Sequence, residues 1–297
     1  MLDFRKILPE DREVIHQNLS ARAGHGCEYS FVNMFLWADQ TVAFWGETPL
    51  FFCRYGDWTC YLFPQCENLK EAIDVLRADA KERGVRFRLF GASPDEAAAA
   101  EALWPQRFVA RSMRDSFDYV YDIERLAGLR GRKLQAKRNH CNHFEQTYPD
   151  WRVLPLTKDL LPRCIEFTQG WYEEHRDAHP YSDMSEEKAA MQKAFRYFEE
   201  LRMEGIALET QDGIVAFSMG NRIRVDTFDV NFEKAHPEIN GAYPMVNREF
   251  ARLIRSRYPE VRYLNREDDM GVEGLRRAKE SYYPDLLLEK IVLEERR

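Results

Sequence analysis

Short runs of aromatic and β-branched residues alternate with helical patterns along the first half of the chain. These runs predict strands at 41–45, 50–55, 58–63, 85–90 and 117–122. Glycine-containing turns separate the first three runs, which indicates an antiparallel meander. Apolar residues at helical spacing predict a helix over 69–83 that ends at Gly84, and Pro94 begins an alanine-rich helix.

The second half follows a similar order. Its helices are predicted at 160–174, 186–203, 244–257 and 274–282, and its strands at 206–210, 214–220, 225–231, 261–264 and 286–293. Helices followed by a hairpin, and then by alternating strands and helices, are typical of α/β or α+β layering around a mixed sheet. We therefore predict two similar α/β halves, with domains at 1–150 and 151–297.

Composition narrows the class of protein. Hydrophobic residues make up 44% of the chain and charged residues 31%, as in an ordinary soluble globular protein. A net charge of -7 and a pI near 5.7 argue against general coating of nucleic acid, but they leave local recognition of a phosphate open. Because no apolar run reaches the roughly 18 residues that cross a bilayer, and the N-terminus lacks the apolar core of a signal peptide, we expect a cytoplasmic protein without an integral membrane segment.

The cysteines and histidines predict no metal site. The six cysteines include no Cys-x-x-Cys pair, so reduced and mostly buried thiols are expected. His175 and His179 are spaced one helical turn apart, but the glutamate of a zinc protease does not follow His175, and Pro180 ends the helix. A surface pair is the favoured interpretation of these two histidines.

The segment 131–144 concentrates cations in a chain that is acidic overall. Leu134 and Cys141 are spaced to face inward from an amphipathic helix, which leaves the cations outward. Cations one turn apart repel each other, so a helix that carries them usually faces an anionic partner or acidic side chains. Three interpretations stay open. The cations could form a solvated face bridged to surface Asp and Glu, they could bind an anionic ligand, or they could form internal ion pairs with acids such as Asp268 and Asp269.

Three segments together carry a resemblance to a known family. They are the basic segment with Gly131-Arg-Lys and Lys137-Arg-Asn-His, the segment 233–250 with Ile239-x-Gly-Ala-Tyr243, and the segment 265–284 with Asn265-Arg-Glu-Asp-Asp269. This combination resembles the bacterial family of uncharacterised proteins related to the C-terminal domain of phosphatidylglycerol lysyltransferase. The resemblance implies two tandem copies of the GNAT acyl-CoA N-acyltransferase fold with mixed sheets, similar to the Fem-type peptidoglycan aminoacyltransferases.

The same resemblance implies an acyl- or aminoacyltransferase. The implied donor is aminoacyl-tRNA, no further cofactor is required, and the acceptor is an amine or hydroxyl of a small molecule, peptide or lipid. A coenzyme A-dependent N-acyltransferase with acyl-CoA as donor is one alternative, and a binding module that keeps the fold without the chemistry is another. The loop at 236–244 has a single glycine, whereas acetyltransferases hold the coenzyme A pyrophosphate with a glycine-rich loop and a helix N-terminus.

The expected site lies in the second half, between the strand ends near Asn231 and Glu267. The candidate catalytic residues are Glu267, Asp268 and Asp229, since a carboxylate can accept the proton of an attacking amine. The candidate substrate-binding residues are Arg132, Lys137, Arg138, Asn139, Asn231, Tyr243, Asn265, Arg276 and Lys279.

Each of these candidates also has a structural interpretation. Turn formation is the favoured role of Asp229 and Asn231. The acids at 267–269 could instead cap the following helix or pair with Arg276 and Lys279, and an internal ion-pair cluster lining the site is the favoured role of those two cations.

Overall fold

The computed structural model describes residues 2–22, 26–37, 39–174 and 183–296, so His175 and His179 lie outside the described residues. The strands in chain order are β1 (Arg5–Lys6), β2 (Gln40–Trp45), β3 (Thr48–Tyr55), β4 (Trp58–Leu62), β5 (Arg88–Ala92), β6 (Phe108–Ser112), β7 (Asp118–Asp122), β8 (Arg152–Pro155), β9 (Glu204–Thr210), β10 (Gly213–Arg222), β11 (Thr227–Ala235), β12 (Tyr263–Asn265), β13 (Leu286–Leu288) and β14 (Ile291–Glu295). The helices are α1 (Arg12–Arg22), α2 (Phe31–Leu36), α3 (Leu69–Arg83), α4 (Pro94–Leu103), α5 (Ile123–Gly128), α6 (Gln135–Thr147), α7 (Leu161–Glu174), α8 (Asp183–Arg196), α9 (Ala242–Arg257) and α10 (Glu273–Glu280).

The first compact unit, unit 1, comprises Met1–Asp118, Glu267–Arg276 and Leu287–Arg297. Its sheet has the strand order β1-β2-β3-β4-β5-β14-β6 among the described residues. β4 and β5 are parallel, and the neighbouring pairs on either side are antiparallel. The sheet is therefore mixed, and its core is built from buried aromatic and aliphatic side chains such as Tyr61 and Leu76.

The second unit, unit 2, comprises Tyr119–Arg266 and Arg277–Leu286. Its sheet has the order β13-β7-β12-β11-β10-β9-β8 in the described part of the chain. β11 and β12 are parallel, whereas β10 pairs with both β9 and β11 in antiparallel register. Helix α9 packs on β9, β10 and β11 and also contacts α5 and α6, so it forms the centre of the unit 2 core.

This arrangement confirms the expected fold class of tandem α/β units with mixed sheets. The division of the chain differs from the expected boundary near residue 150. β7 lies in the sheet of unit 2 because it pairs antiparallel with β12, where Asp122 is opposite Tyr263, 141 residues later in the chain. The strand expected at 286–293 is two strands, since β13 joins the sheet of unit 2 and β14 inserts between β5 and β6. These pairings join strands that are far apart in the sequence, so no local sequence pattern predicts them.

The basic segment forms α6, as expected, with Leu134 and Cys141 fully buried. The helix begins at Gln135, which places Lys133 just before it. Among the described residues no helix is both long enough and apolar enough to span a membrane.

Candidate functional site

β11 and β12 run side by side over three residue pairs and then part. The last pair joins Asp229 to Asn265, where β12 ends. β11 continues to Ala235 and stays paired there with β10 on its other side. The far half of β11 thus has one edge that is not paired with β12, and the opening lies at the C-terminal end of β12, beside the parallel strand β11. Openings of this kind are common ligand sites in α/β sheets.

A β-bulge in β11 lies at the same point. Between the Asp229–Asn221 and Phe232–Met219 pairs, β11 contributes one residue more than β10. An extra residue exchanges the faces of all side chains that follow it in the strand. Glu233 consequently faces α9. Regular alternation from Asp229 would have placed its side chain on the opposite face of the sheet.

Gly220 lies on β10 beside this bulge, and only glycine fits there. A Cβ on Gly220 would stand 1.9 Å from the carbonyl oxygen of Asp229, which is main chain and cannot turn away. The missing side chain therefore lets β11 approach β10 closely enough to form the bulge.

An ion pair between Glu233 and Arg266 spans the opening. Arg266 directly follows β12, and its Nη2 donates to Glu233 Oε1 at 2.8 Å. Asn247 on α9 donates to the other carboxylate oxygen at 3.3 Å. The guanidinium carbon of Arg266 also lies 4.9 Å from the ring centroid of Tyr282 and 5.8 Å from that of Tyr121. The guanidinium is thus fixed by a carboxylate and two aromatic rings.

Burial by itself would lower the pKa of Arg266, but the charge of Glu233 outweighs this effect and raises the pKa above its usual value. Arg266 is therefore always a cation. Its Nη1 is buried and has no hydrogen-bond partner among the described residues. A fixed guanidinium whose Nη1 still has its N–H groups available can bind an oxygen that carries or develops negative charge.

Lys137 approaches the same cluster from α6. Its ammonium lies 4.2 Å from the ring centroid of Tyr282, the ring that Arg266 also contacts. Burial lowers the pKa of Lys137, and the nearby positive charge of Arg266 lowers it further. In the described part of the chain this ammonium forms no hydrogen bond and no ion pair.

The junction of α6 and α9 depends on Gly241, the single glycine of the loop at 236–244. Gly241 has φ +92°, and a Cβ there would stand 2.3 Å from the carbonyl oxygen of His140 on α6. The His140 ring also bonds the side chain of Asn240 at 2.8 Å. Gly241 therefore permits close contact between α6 and the start of α9.

The start of α9 has few N–H groups to offer a ligand. The N–H of Ala242 is bonded to the carbonyl of Ile239, and that of Met245 to the carbonyl of Gly241. Pro244 has no N–H at all. Tyr243 lies in this first turn and is 37% exposed.

Asp229, Asn231 and Asn265 meet where the strands part. Asp229 and Asn265 are fully buried and form the last strand pair, and Asn231 donates to Asp229 at 3.1 Å. Turn formation, the favoured role of Asp229 and Asn231, is wrong, because β11 continues to Ala235 and both residues lie within the strand. Their contact fixes the polar lining of the opening.

The remaining candidates on the basic segment separate into two groups. Arg138 donates to the backbone carbonyls of Leu129 and Gly131, so it holds the turn that leads into α6. Arg132 and Asn139 are exposed. Of the predicted cations on this segment, the structure brings Lys137 alone to the Arg266 cluster among the described residues.

Lys279 in unit 2 is nearly fully buried, and its ammonium donates to the backbone carbonyl of Arg266. Tyr121 donates its hydroxyl to the carbonyl of Lys279 at 2.8 Å. These bonds fix the chain around Arg266.

Glu267, Asp268 and Asp269 belong to unit 1. Asn33 donates to Glu267 at 3.1 Å, and Glu267 has a left-handed φ of 55°. Asp268 accepts the N–H of Met270 at 3.2 Å in a local turn.

Asp269 and Arg276 form the internal ion-pair cluster that the sequence favoured. Asp269 is fully buried and accepts two hydrogen bonds from Arg276, both at 2.8 Å. Arg114 adds a third contact to Asp269 at 3.2 Å, and Asp115 binds Arg276 at 2.7 Å. Arg276 is thus committed to two carboxylates within unit 1.

Unit 1 also contains a buried charge cluster that sequence reasoning missed. Lys290 lies 2.6 Å from Asp118 and 2.7 Å from Glu28, and Cys27 is adjacent. The ligand atoms of Cys27, Glu28 and Asp118 are close enough together to hold a metal ion. The ammonium of Lys290 already supplies the positive charge there, so the cluster fits a structural ion pair better than a metal site.

Glu233, Arg266 and Asn247 were also missed as site residues, although all three lie in the motif segments. The position of Arg266 two residues after the strand predicted at 261–264 was the available signal. The role of Glu233 was hidden because the bulge that turns it toward α9 leaves no trace in the hydrophobic pattern.

The chain is similar to proteins of one family along nearly its whole length. The family model described as "Phosphatidylglycerol lysyltransferase, C-terminal" matches residues 20–293. The chain belongs to this family. An uncharacterised protein of Mycoplasmoides gallisepticum is 22% identical over 184 residues, which are 60% of this chain and 56% of that protein. The chain therefore matches only a little over half of the length of that relative.

Solved structures agree with this assignment. A conserved protein of unknown function from Bacteroides thetaiotaomicron is 35% identical, with both chains covered completely and a TM-score of 0.93. The C-terminal domain of a putative lysylphosphatidylglycerol synthetase from Agrobacterium fabrum is 12% identical, with 97% and 92% of the two chains covered and a TM-score of 0.69. FemX is 10% identical, with 99% and 98% covered and a TM-score of 0.62. The last two similarities establish the fold alone, which confirms the expected Fem-like architecture.

Proposed function

We propose that the protein transfers an aminoacyl or other acyl group, and that the transfer takes place where β11 and β12 part in unit 2. The observation that carries this proposal is the fixed guanidinium of Arg266, whose Nη1 has no hydrogen-bond partner in the described part of the chain. Membership of the family and the Fem-like fold support a transferase.

In such a transfer the nitrogen or oxygen of the acceptor attacks the carbonyl carbon of the donor ester. The new bond forms as the ester C–O bond breaks, and the acceptor proton ends on the leaving hydroxyl. Negative charge develops on the carbonyl oxygen during this step, and a fixed donor such as Arg266 Nη1 stabilises it. Glu233 and Asn247 act as positioning residues because they hold the guanidinium.

An aminoacyl ester suits this site better than a coenzyme A thioester. Ala242 and Met245 have their N–H groups bonded within the loop and helix, and Pro244 lacks one. At the helix N-terminus that would hold a pyrophosphate in an acetyltransferase, the first-turn positions 242 and 244 therefore offer no available N–H. This observation favours aminoacyl-tRNA as donor, and the acceptor remains an amine or hydroxyl.

The test compares the wild-type protein with Arg266→Gln for transfer of labelled amino acids from a mixture of aminoacyl-tRNAs to amine acceptors, with acetyl-coenzyme A in parallel. Loss of an oxyanion donor should lower turnover about 100- to 1,000-fold. Arg255→Gln is the matched control, because Arg255 lies on the same unit and its only ion pair among the described residues is with the exposed Glu124. A folded Arg266→Gln variant with wild-type turnover would refute the role of Arg266, and no transfer from any donor would refute the function.

A further inference from the structure

Lys137 has an unusual environment for a lysine. Its side chain is half-buried, its ammonium lies on the Tyr282 ring, and it forms no hydrogen bond or ion pair with any residue that the structure describes. An ammonium that loses water without gaining an anion is destabilised, and only part of this cost is returned by an aromatic ring. Lys137 therefore lacks a counter-ion among the described residues.

The groups around Lys137 do not supply the missing negative charge. Glu233 is engaged by Arg266 and Asn247 through both of its oxygens. Burial raises the pKa of Cys141 to about 11, so the neighbouring thiol is neutral at physiological pH. Arg266 adds positive charge, which is one reason that the pKa of Lys137 is lowered. Glu233 raises the pKa of Lys137, but it does so less strongly than Arg266 lowers it.

We propose that Lys137 is the binding group for a phosphate of the donor substrate. This inference rests on the proposed function and assigns one chemical group of the donor to one side chain. Lys137 and Arg266 contact the same tyrosine ring, so a donor with its acyl carbonyl at Arg266 can place a nearby phosphate at Lys137. A lysine suits this task because it binds phosphate as a point charge.

Two donors carry such a phosphate. One is the phosphodiester chain at the CCA end of a tRNA, and the other is the pyrophosphate of coenzyme A. The shared chemistry is phosphate, and the two sources can be separated by measuring binding of a tRNA minihelix that ends in CCA and of coenzyme A, each with the full-length protein.

The experiment uses three variants. Lys137→Gln removes the charge, Lys137→Arg keeps it, and Lys133→Gln is the matched control. Lys133 also lies over a tyrosine ring, 5.1 Å from the centroid of Tyr283, but it is exposed. Dissociation constants are measured at several salt concentrations, separately from any transfer assay.

We expect Lys137→Gln to weaken binding of the minihelix about ten- to hundred-fold, the usual range for a lost charged hydrogen bond. The slope of log K against log salt should fall by about 0.9, as for one phosphate contact. Lys137→Arg should bind nearly as well as the wild type, and Lys133→Gln should be unchanged. The same pattern with coenzyme A, and none with the minihelix, would support the phosphate site but assign it to coenzyme A.

The proposal is overturned if Lys137→Gln binds both probes with unchanged affinity and salt slope. It is also overturned if Lys137→Arg and Lys137→Gln bind normally and both lose turnover, because that result indicates a proton acceptor. Binding that depends on Lys137 without any transfer would leave the phosphate site intact and refute the proposed function alone.

Discussion

The buried Lys290 cluster of unit 1 permits a direct test of which carboxylate carries its negative charge. The ammonium lies 2.6 Å from Asp118 and 2.7 Å from Glu28, and Lys290 is only 3% exposed. Asp118 also accepts the N–H of Cys27 at 2.7 Å, so two donors stabilise its ionised form. Burial raises the pKa of Glu28 to about 7, against the attraction of Lys290, and the charge of Asp118 adds to the rise. Asp118 is therefore the main counter-ion.

The two isosteric changes Asp118→Asn and Glu28→Gln should differ in cost. Breaking a buried ion pair usually costs about 3–5 kcal/mol. In Asp118→Asn, Glu28 loses a neighbouring negative charge and ionises more readily, which offsets part of this loss. We therefore expect about 3 kcal/mol, at the low end of the range. Glu28→Gln removes a group that is largely protonated below neutral pH, so at pH 6 it should cost about 1 kcal/mol or less.

The pH dependence has a definite sign. The pKa of Glu28 in the folded protein is above its usual value of 4.5, so the folded state binds more protons between pH 4.5 and about 7. The contribution of Glu28 is fully present below that window and is lost as the pH rises through it. The slope is at most about 1.4 kcal/mol per pH unit. Glu28→Gln should remove it.

Urea unfolding from pH 5 to pH 8 measures both effects. Because the chain has two units, the transition of unit 1 should be followed by hydrogen exchange of the Cys27 amide, which is bonded to Asp118. Equal destabilisation by the two variants would contradict the assignment of the charge to Asp118. A pH slope that survives Glu28→Gln would contradict the raised pKa.

Two glycine substitutions test the geometry of the candidate site. Gly220→Ala should destabilise unit 2 by about 3 kcal/mol or more in urea unfolding, because its Cβ would stand 1.9 Å from the carbonyl oxygen of Asp229. A loss below about 1 kcal/mol would show that β10 and β11 can move apart at little cost in free energy. Gly241→Ala should lower the free energy of unfolding more than Gly213→Ala does. Both positions have a left-handed φ, but of the two only a Cβ at 241 would clash, at 2.3 Å from the carbonyl oxygen of His140. Equal unfolding midpoints of the two variants would refute close contact between α6 and α9.

Local elements were largely predictable from the sequence. α3 begins and ends at the residues that its periodicity and Gly84 predicted. A helix often ends at a residue that adopts the left-handed conformation, and Gly84 has φ 67°. The meander of β2, β3 and β4 followed from its turn residues. Such features depend on neighbours in the chain, which a sequence displays directly.

The roles of individual cations were not predictable. Helical periodicity placed Lys137 and Arg138 alike on the outer face of α6. In the structure Arg138 turns back to the carbonyls of Leu129 and Gly131, where a left-handed turn at Leu129 leaves acceptors available, while Lys137 reaches Tyr282. The difference depends on a turn and on a ring more than 140 residues away, so periodicity could not separate the two.

The close contact at Gly241 explains why two motif segments a hundred residues apart belong to one site. Gly241 lets the main chain of α6 at His140 lie against the start of α9, and Lys137 is one turn earlier on the same helix. A bulkier residue at 241 would push α6 away and take Lys137 from the ring that Arg266 also contacts. The single glycine of this loop therefore serves the packing of two helices, whereas the glycines of an acetyltransferase loop expose N–H groups to a pyrophosphate. In the proposed site, the positive charge that such a loop would provide through its backbone comes from the side chain of Lys137, so donor binding should depend most on this residue.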